Sequence, residues 1–189
     1  MDKDPSVGAP KDVGYCAAGK SVKVIYADGF ESKSGWSFQR GWQLSSEGGY
    51  PYAAFGHDAA DGWPTAGDDI TLTQRSGVRL APGAHLRFDH AYWLQPNDGA
   101  RVEYNTGSGW KVASTLPNVN GEDTPAGEFD GQKSFGGESN GFGGTRYDLS
   151  SLAGKTVKLR FHLKKVGGDP ETAEESSWYV DNLKIYTCV

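Results

Sequence analysis

The sequence lacks three features that would each indicate a particular class of protein. No apolar run approaches the roughly 18 residues that a membrane-spanning helix needs. No more than two Lys or Arg residues stand next to each other, and the formal net charge is −5. A nucleic-acid or anionic-membrane partner is therefore not indicated. The residues after Met1 contain no apolar core of a signal peptide, so the cellular compartment has to be inferred from the cysteines.

Catalytic motifs are also missing. There is no His-Glu-x-x-His and no Gly-x-Ser-x-Gly, which argues against a zinc peptidase and an α/β-hydrolase. The segment 127–132 looks like the start of the carboxylate strand of laminarinase-type glycosidases, which need two closely spaced carboxyls. Here the second carboxyl would fall at Gln132 or Lys133, and neither can serve. We therefore expect no enzyme activity, and we expect His90 to be a core residue, since it lies on the apolar face of its strand.

The residues that are present favour an all-β domain. With 189 residues, of which 27 are Gly and 9 are Pro, the chain fits one domain with many turns. Residues 84–95 and 155–165 alternate between apolar and polar side chains, as half-buried strands do. Residues 1–20 indicate a linker or N-terminal arm, and residues 21–189 indicate the folded domain, which we expect to be monomeric.

The two cysteines, Cys16 and Cys188, lie near opposite ends of the chain. In a sandwich whose first and last strands are neighbours they can meet, and closing so long a loop stabilises by roughly 5 kcal/mol in the chain-entropy model. We predict a disulfide between them. A disulfide favours an oxidising, extracellular setting, so we expect a secreted protein.

Four segments, taken in order and spacing, show a resemblance to a known family. They are Leu86–Tyr92, Asp98–Asn105, Tyr147–Phe161 and Trp178–Leu183. Together they resemble the MAM-like jelly-roll domains of secreted bacterial metallopeptidases of the immune inhibitor A type. The resemblance implies an antiparallel two-sheet jelly-roll sandwich, often stabilised by calcium, that has no catalytic residues and serves a larger enzyme as an accessory domain.

Acidic residues at strand ends predict a calcium site. Asp28 continues the phase of Val22, Val24 and Tyr26, which we expect to point inward, and we expect Asp181 to share a face with Leu183 and Ile185. A carboxylate on an apolar face is costly unless it is paired or binds a metal, and oxygen ligands suit Ca²⁺. The alternative is that these acids cap turns or pair with Lys and Arg. The predicted ligands are Asp28, Glu31, Asp68, Asp69 and Asp181.

The polar faces of the strands predict a ligand surface. A tryptophan among charged residues suits sugar stacking or peptide docking, unless a loop or the parent's catalytic domain covers it. The predicted ligand-binding residues are Trp93, Arg87, Asp89, Arg101 and Trp63.

The preferred function is a non-catalytic accessory domain of a secreted bacterial peptidase, which aids stability or binds a protein or polysaccharide substrate. The alternatives are a carbohydrate-binding module and a free-standing adhesion domain.

Overall fold

The chain folds into two antiparallel β-sheets with a shared core. The computed structural model describes residues 15–39, 41–45, 53–57, 69–96, 98–117, 132–164 and 176–189. Within these ranges there are two short 3₁₀ turns, Ala113–Thr115 and Ser150–Leu152, and no α-helix. The strands are β1 (Val22–Asp28), β2 (Trp36–Phe38), β3 (Trp42–Ser45), β4 (Ala53–His57), β5 (Asp69–Gln74), β6 (Val78–Arg79), β7 (Ala84–Trp93), β8 (Gly99–Asn105), β9 (Trp110–Val112), β10 (Gly143–Asp148), β11 (Thr156–Lys164) and β12 (Ser177–Cys188). The predicted two-sheet jelly-roll sandwich is confirmed.

The first sheet has the strand order β10-β7-β12-β4-β3. The last strand, β12, is long enough to have two neighbours on one side: its first half pairs with β4 and its second half with β1. On its other side it pairs with β7 along almost its whole length. The first and last strands of the domain are therefore adjacent, which is the arrangement that the cysteine spacing requires.

The second sheet has the order β2-β5-β11-β8-β9, with β6 added to the start of β11. In the pairing of β8 with β11, Glu103 lies opposite Arg160 and Arg101 lies opposite His162. Directly opposite residues in an antiparallel pair lie on the same face of the sheet. The register therefore gathers these four polar side chains on one face.

The core lies between the sheets and is rich in aromatic rings. The alternating segments predicted from the sequence supply it: Leu86 and Phe88 come from β7, and Leu159 and Phe161 from β11. The rings of Phe88 and Phe161 are 5.2 Å apart in an edge-to-face contact, which joins the two sheets. His90 is buried and neutral; burial lowers the pKa of its imidazole to about 3.

The hydrogen bonds of His90 confirm that it is a core residue. Its Nδ1 accepts from Trp178 Nε1 at 3.2 Å, so its Nε2 carries the proton and donates to Thr145 Oγ1 at 2.9 Å.

Two segments whose sequences show no alternation nevertheless contain structure. β4 lies inside the aperiodic stretch 45–69, and β10 begins at the end of the aperiodic stretch 116–144. Just before β10 in the chain, Phe135 pairs with Ala100 of the second sheet, while Glu138 pairs with Trp93 of the first. The segment that carries Phe135 and Glu138 therefore bridges the two sheets.

Two β-bulges change the phases that strict alternation predicts. In β1 the register shifts between Val24 and Tyr26, so Val22 and Val24 are 41% and 49% exposed while Tyr26 packs against the core. The expectation that both valines point inward is wrong. A bulge inserts one extra residue and so reverses the faces beyond it.

The second bulge moves Asp181 to the outer face of the first sheet. Val180 and Leu183 both point into the core, the register shifts after Asp181, and Asn182 between them has the left-handed φ of 50°. Asp181 therefore lies opposite Asp89 and does not share a face with Leu183, which corrects our expectation.

No helix in the described part of the chain is long and apolar enough to cross a lipid bilayer.

The predicted disulfide is confirmed. Cys16 is bonded to Cys188, with 5.7 Å between their Cα atoms and a separation of 172 positions in the sequence. Backbone hydrogen bonds between Ser21 and Val189 continue the pairing of β1 with β12. The disulfide thus holds the end of the predicted N-terminal arm against the last strand.

Candidate functional site

The predicted ligand-binding residues do not form one site. Arg87, Asp89 and Trp93 alternate with core residues of β7 and lie on the outer face of the first sheet. Arg101 lies on the outer face of the second sheet, opposite His162, with the core between the two groups. Trp63 is outside the described residues. The sandwich therefore has two outer faces that must be considered separately.

The outer face of the first sheet is covered in part by Tyr15. The Arg87 guanidinium lies 4.5 Å from the centre of the Tyr15 ring, and Arg87 Nη1 donates to the Tyr15 hydroxyl at 3.0 Å. Lys184 Nζ donates to the same hydroxyl at 3.1 Å. Arg87 also pairs with Asp89 at 2.9 Å. Arg87 therefore packs against the N-terminal arm. Nothing in the sequence of the arm indicated this role.

The backbone of Tyr15, like its ring, is hydrogen-bonded to the first sheet. Its carbonyl oxygen accepts from Tyr186 Oη at 2.9 Å and from Arg146 Nη1 at 3.1 Å. The neighbouring Cys16–Cys188 bond fixes the same turn of chain. These contacts anchor the arm to the first sheet.

The outer face of the second sheet has a buried carboxylate, Glu103, at its centre. Its Oε1 accepts from Arg101 Nε at 2.8 Å and from Arg101 Nη2 at 2.7 Å. Its Oε2 accepts from both Nε and Nη2 of Arg160. His162 Nδ1 lies 3.3 Å from Oε1. Both carboxylate oxygens are thus fully used by side chains of β8 and β11.

These contacts determine the charge of Glu103. The side chain is 2% exposed, and burial alone would raise its pKa. The hydrogen bond and charge of His162, together with the guanidiniums of Arg160 and Arg101, outweigh that effect and lower the pKa of Glu103 to about 2. A carboxyl that stays ionised at neutral pH is unsuited to act as a general acid. Glu103 therefore organises the two arginines.

An open cleft of about 380 Å³ lies beside this cluster. Trp110 stands at its edge, and the Arg160 guanidinium lies 4.3 Å from the centre of the Trp110 ring. The indole of Trp110 and the side chain of Arg101 thus border the same space, and Arg160 stacks on the indole. The residues that line the cleft are Arg101, Glu103, Trp110, Lys111, Val112, Thr115 and Gln132.

Asp69, which we predicted as a calcium ligand, belongs to this face. It lies at the start of β5, opposite Lys164, and its Oδ1 is 2.8 Å from His162 Nε2. Asp181 lies on the outer face of the other sheet, so the structure does not bring Asp69 and Asp181 together. Asp68 is outside the described residues.

The other predicted calcium ligands lie near one another at one end of the first sheet. Burial, together with the negative charges of Asp89, Glu31 and Asp28, raises the pKa of Asp181 to about 6. Asp181 Oδ1 accepts from the backbone N–H of Asn182 at 2.6 Å. The side chain is 5% exposed, so its carboxylate is poorly hydrated as well as surrounded by like charge.

These residues fit a cation only in part. Asp28 already accepts from Phe30 N at 2.8 Å, from Tyr26 Oη at 2.9 Å and from Trp36 Nε1 at 3.0 Å. In the described ranges no three His, Cys, Asp or Glu side chains are arranged as a metal centre. Asp181 and Glu31 fit better, because their remaining oxygens accept from no donor in that part of the chain. Calcium at this cluster stays a prediction.

Comparison with known proteins gives the fold class. No family model matches the chain, and no curated protein matches its sequence. One similar solved structure comes from work on the endo-acting O-glycanases that prominent members of the human gut microbiota express to initiate mucin breakdown. It is 8% identical, with a TM-score of 0.53, over 87% of this chain and 99% of that one.

Two further solved structures have the same fold. TmCBM61, solved in complex with β-1,4-galactotriose, is 11% identical with a TM-score of 0.50, over 84% of this chain and 94% of that one. The K3 cleaved adhesin domain of Lys-gingipain from Porphyromonas gingivalis W83 is 12% identical with a TM-score of 0.50, over 87% of this chain and all of that one. The chain thus has the jelly-roll fold of carbohydrate-binding and adhesin domains. Nothing in the comparisons supports the MAM family or a peptidase parent specifically.

Proposed function

We propose that the chain is a non-catalytic carbohydrate-binding module that takes its ligand in the Trp110 cleft. The observation that carries this proposal is the arrangement of Trp110, Glu103 and Arg101 around one open cleft of about 380 Å³, with Arg160 stacked on the Trp110 ring. Ligand sites combine an aromatic surface with a few fixed polar groups. Here the aromatic surface is the indole of Trp110, and the fixed polar groups are the two guanidiniums held by Glu103.

The chemistry of the cleft suits a sugar. The C–H face of a pyranose stacks on an aromatic ring, and Trp has both a large apolar surface and a polar edge. Arg101 and Arg160 are each held by two N–H groups on Glu103, so their orientation is fixed before the ligand arrives. Donors that are ordered beforehand reduce the entropic cost of binding. The shared fold with a galactotriose-binding module supports the same class of ligand.

The proposal includes the absence of catalysis and a location outside the cell. Glu103 is held ionised by its arginines, and Glu128 of the glycosidase-like segment lies outside the described residues. We expect no turnover of glycans or peptides, and activity that disappeared in Glu128→Gln would contradict this. The Cys16–Cys188 bond supports a secreted protein, because structural disulfides persist in oxidising compartments.

A binding experiment with two matched tryptophan variants tests the proposal. The chain is applied to a glycan array, and the best ligand is then titrated by calorimetry into wild type, Trp110→Ala and Trp93→Ala. Loss of one stacking tryptophan should weaken binding about tenfold or more, whereas Trp93→Ala on the opposite face should leave the affinity unchanged. Melting curves check that both variants are folded. Binding that survives Trp110→Ala would show that the cleft is not the ligand site. If no glycan on the array bound the chain, the proposed function would be wrong.

A second candidate is an accessory domain that binds protein for a secreted peptidase. The fold match with an adhesin domain of Lys-gingipain favours it, and the resemblance to metallopeptidase accessory domains is consistent with it. Casein and collagen immobilised beside the glycans distinguish the two functions. Capture of these proteins without any glycan would favour the accessory domain.

A further inference from the structure

The tryptophan of the cleft lies on a short strand at the end of the second sheet. Strand β9 is three residues long, and in the described part of the chain it pairs with β8 alone. Trp110 is its first residue and lies opposite Asn105. Strand pairing on one side fixes the backbone of Trp110 but not the plane of its indole. The orientation of the ring therefore depends on the side chains that pack against it.

Arg160 reaches the Trp110 ring from the middle strand of the sheet. Its strand, β11, is separated from β9 by β8. On β8, Glu103 lies opposite both Arg160 of β11 and Val112 of β9. The Arg160 side chain therefore crosses β8 on the outer face of the sheet, and its guanidinium carbon lies 4.3 Å from the centre of the Trp110 ring. This distance is within the range of a cation–π contact, so Arg160 covers one face of the indole.

Glu103 holds the guanidinium in this place. Its Oε2 accepts from both Nε and Nη2 of Arg160, and its side chain is 2% exposed. A planar guanidinium can bind a carboxylate through its N–H groups and contact an aromatic ring with its flat face at the same time. A lysine ammonium has no flat face and cannot do both. Arg160 therefore links the buried carboxylate to the indole as a fixed support.

The cleft meets Trp110 on the part of the ring that Arg160 leaves uncovered. Trp110 lines the cleft, whereas Arg160 is not among the described residues that do so. Resting on the proposed function, we propose that Arg160 is a positioning residue for ligand binding, which holds the Trp110 indole in one plane and leaves its other face to a sugar. A ring that is ordered before the ligand arrives reduces the entropic cost of binding.

Calorimetry with the best glycan of the array tests this role in the full chain. Arg160→Gln should weaken binding about fivefold, because the freed indole must then be ordered by the ligand. Arg160→Lys should weaken it about as much, since it keeps the charge and loses the planar group. If Arg160→Gln does not fold, Arg160→Lys alone decides the question.

Lys158→Gln is the matched control. Lys158 is an exposed residue two positions before Arg160 on the same face of β11, so the variant removes a positive charge from that face without changing the support of the ring. Its affinity should stay within about twofold of wild type, because exposed charges contribute little. Melting curves establish that all three variants are folded.

The mobility of the indole provides a second measurement that needs no ligand. In a ¹⁵N-labelled chain, the heteronuclear NOE of the Trp110 indole N–H reports motion on the picosecond-to-nanosecond timescale, and its signal is assigned by its loss in Trp110→Ala. The NOE should fall in both Arg160 variants and not in Lys158→Gln. The indole N–H of Trp178, which donates to His90 Nδ1 at 3.2 Å, is the internal reference and should not change.

Weaker binding together with a more mobile Trp110 indole is the expected result. Unchanged or tighter binding by the Arg160 variants, or an unchanged Trp110 NOE, would overturn the inference and leave the proposed function standing. If no glycan bound the wild type, the proposed function and this role of Arg160 would both be wrong.

Discussion

The two outer faces of the sandwich place an arginine over an aromatic ring in the same way and use it differently. On the first sheet the Arg87 guanidinium lies 4.5 Å from the centre of the Tyr15 ring; on the second sheet that of Arg160 lies 4.3 Å from the centre of the Trp110 ring. Tyr15 belongs to an arm that a disulfide ties to the sheet, so the first pair is covered by the chain itself. Trp110 borders an open cleft.

This difference shows that a stacked cation and ring do not by themselves define a ligand site. The two faces differ in whether a segment of the same chain packs against the arginine and its neighbours. The first face finds its partner in its own chain, through the Tyr15 contacts to Arg87, Lys184 and Tyr186. The second face has its polar groups ordered by Glu103 and leaves the adjacent space open.

Removing the disulfide should have the largest effect on the first face. In Cys16→Ser combined with Cys188→Ser, the free energy of unfolding should fall by about 4 kcal/mol, because a loop of this length is no longer closed in the unfolded state. Urea denaturation of the variant and of the oxidised wild type measures the change. Sugar binding by the folded variant should be unchanged, since the cleft lies on the other sheet. An unaltered unfolding free energy would show that the arm does not depend on the bond.

Removing the charge of Glu103 should have a somewhat smaller effect, confined to the second face. Glu103→Gln leaves two guanidiniums without their counter-charge and should lower the free energy of unfolding by about 3 kcal/mol. Glu138→Gln, which changes an exposed glutamate, is the matched control and should cost less than about 0.5 kcal/mol. A loss for Glu103→Gln no larger than for the control would show that the cluster is not ordered as described.

The pH dependence of stability gives Glu103 a distinct signature. Its pKa is lowered to about 2 in the folded protein, against about 4.3 in an unfolded chain. Its contribution is therefore fully present above about pH 5 and is lost as the pH falls through about 4 towards about 2. Thermal melting between pH 2 and pH 5 should show this loss in wild type and a flatter curve in Glu103→Gln. Parallel curves for the two proteins would contradict the assignment.

The acidic cluster of the first sheet predicts a smaller effect, which depends on calcium. If Ca²⁺ binds at Asp181 and Glu31, excess calcium should raise the melting temperature by several degrees over EDTA, since a ligand that binds the native state stabilises it. Asp181→Asn should abolish this difference, and Asp148→Asn, at the end of β10 where the carboxylate accepts from Ser150 N, should not. Identical melting temperatures of the wild type in calcium and in EDTA would show that calcium does not bind at this cluster.

The sequence predicted the parts of the structure that follow from alternation. The patterns of 84–95 and 155–165 placed Phe88 and Phe161 in the core, and the positions of Cys16 and Cys188 were compatible with adjacent terminal strands. Alternation fails at bulges: nothing in the sequence around Val24 or Asn182 marks the extra residue that reverses the faces there. Strand β4 was missed because Ala53–His57 has no clear period.

The candidate site was harder to predict than the fold. Arg87 and Arg101 both alternate with apolar residues, so alternation alone does not assign them to different sheets. Only the strand order, with β7 in one sheet and β8 in the other, puts them on opposite faces. The charged residues around Trp93 predict a ligand site there, whereas the structure places Trp110 beside the cleft and the Glu103 cluster.

The most direct test of the account is where a bound ligand perturbs the protein. A ¹⁵N-labelled chain is titrated with the best oligosaccharide ligand of the glycan array. The NMR signals followed are those of the backbone amides, the Trp110 indole N–H and the Arg160 Nε–H. We expect chemical-shift changes at these two side chains and along β8, β9 and β11, with the amides of Tyr15, Arg87 and Lys184 unmoved. Shifts concentrated on β7 and β12, with Trp110 unmoved, would contradict it.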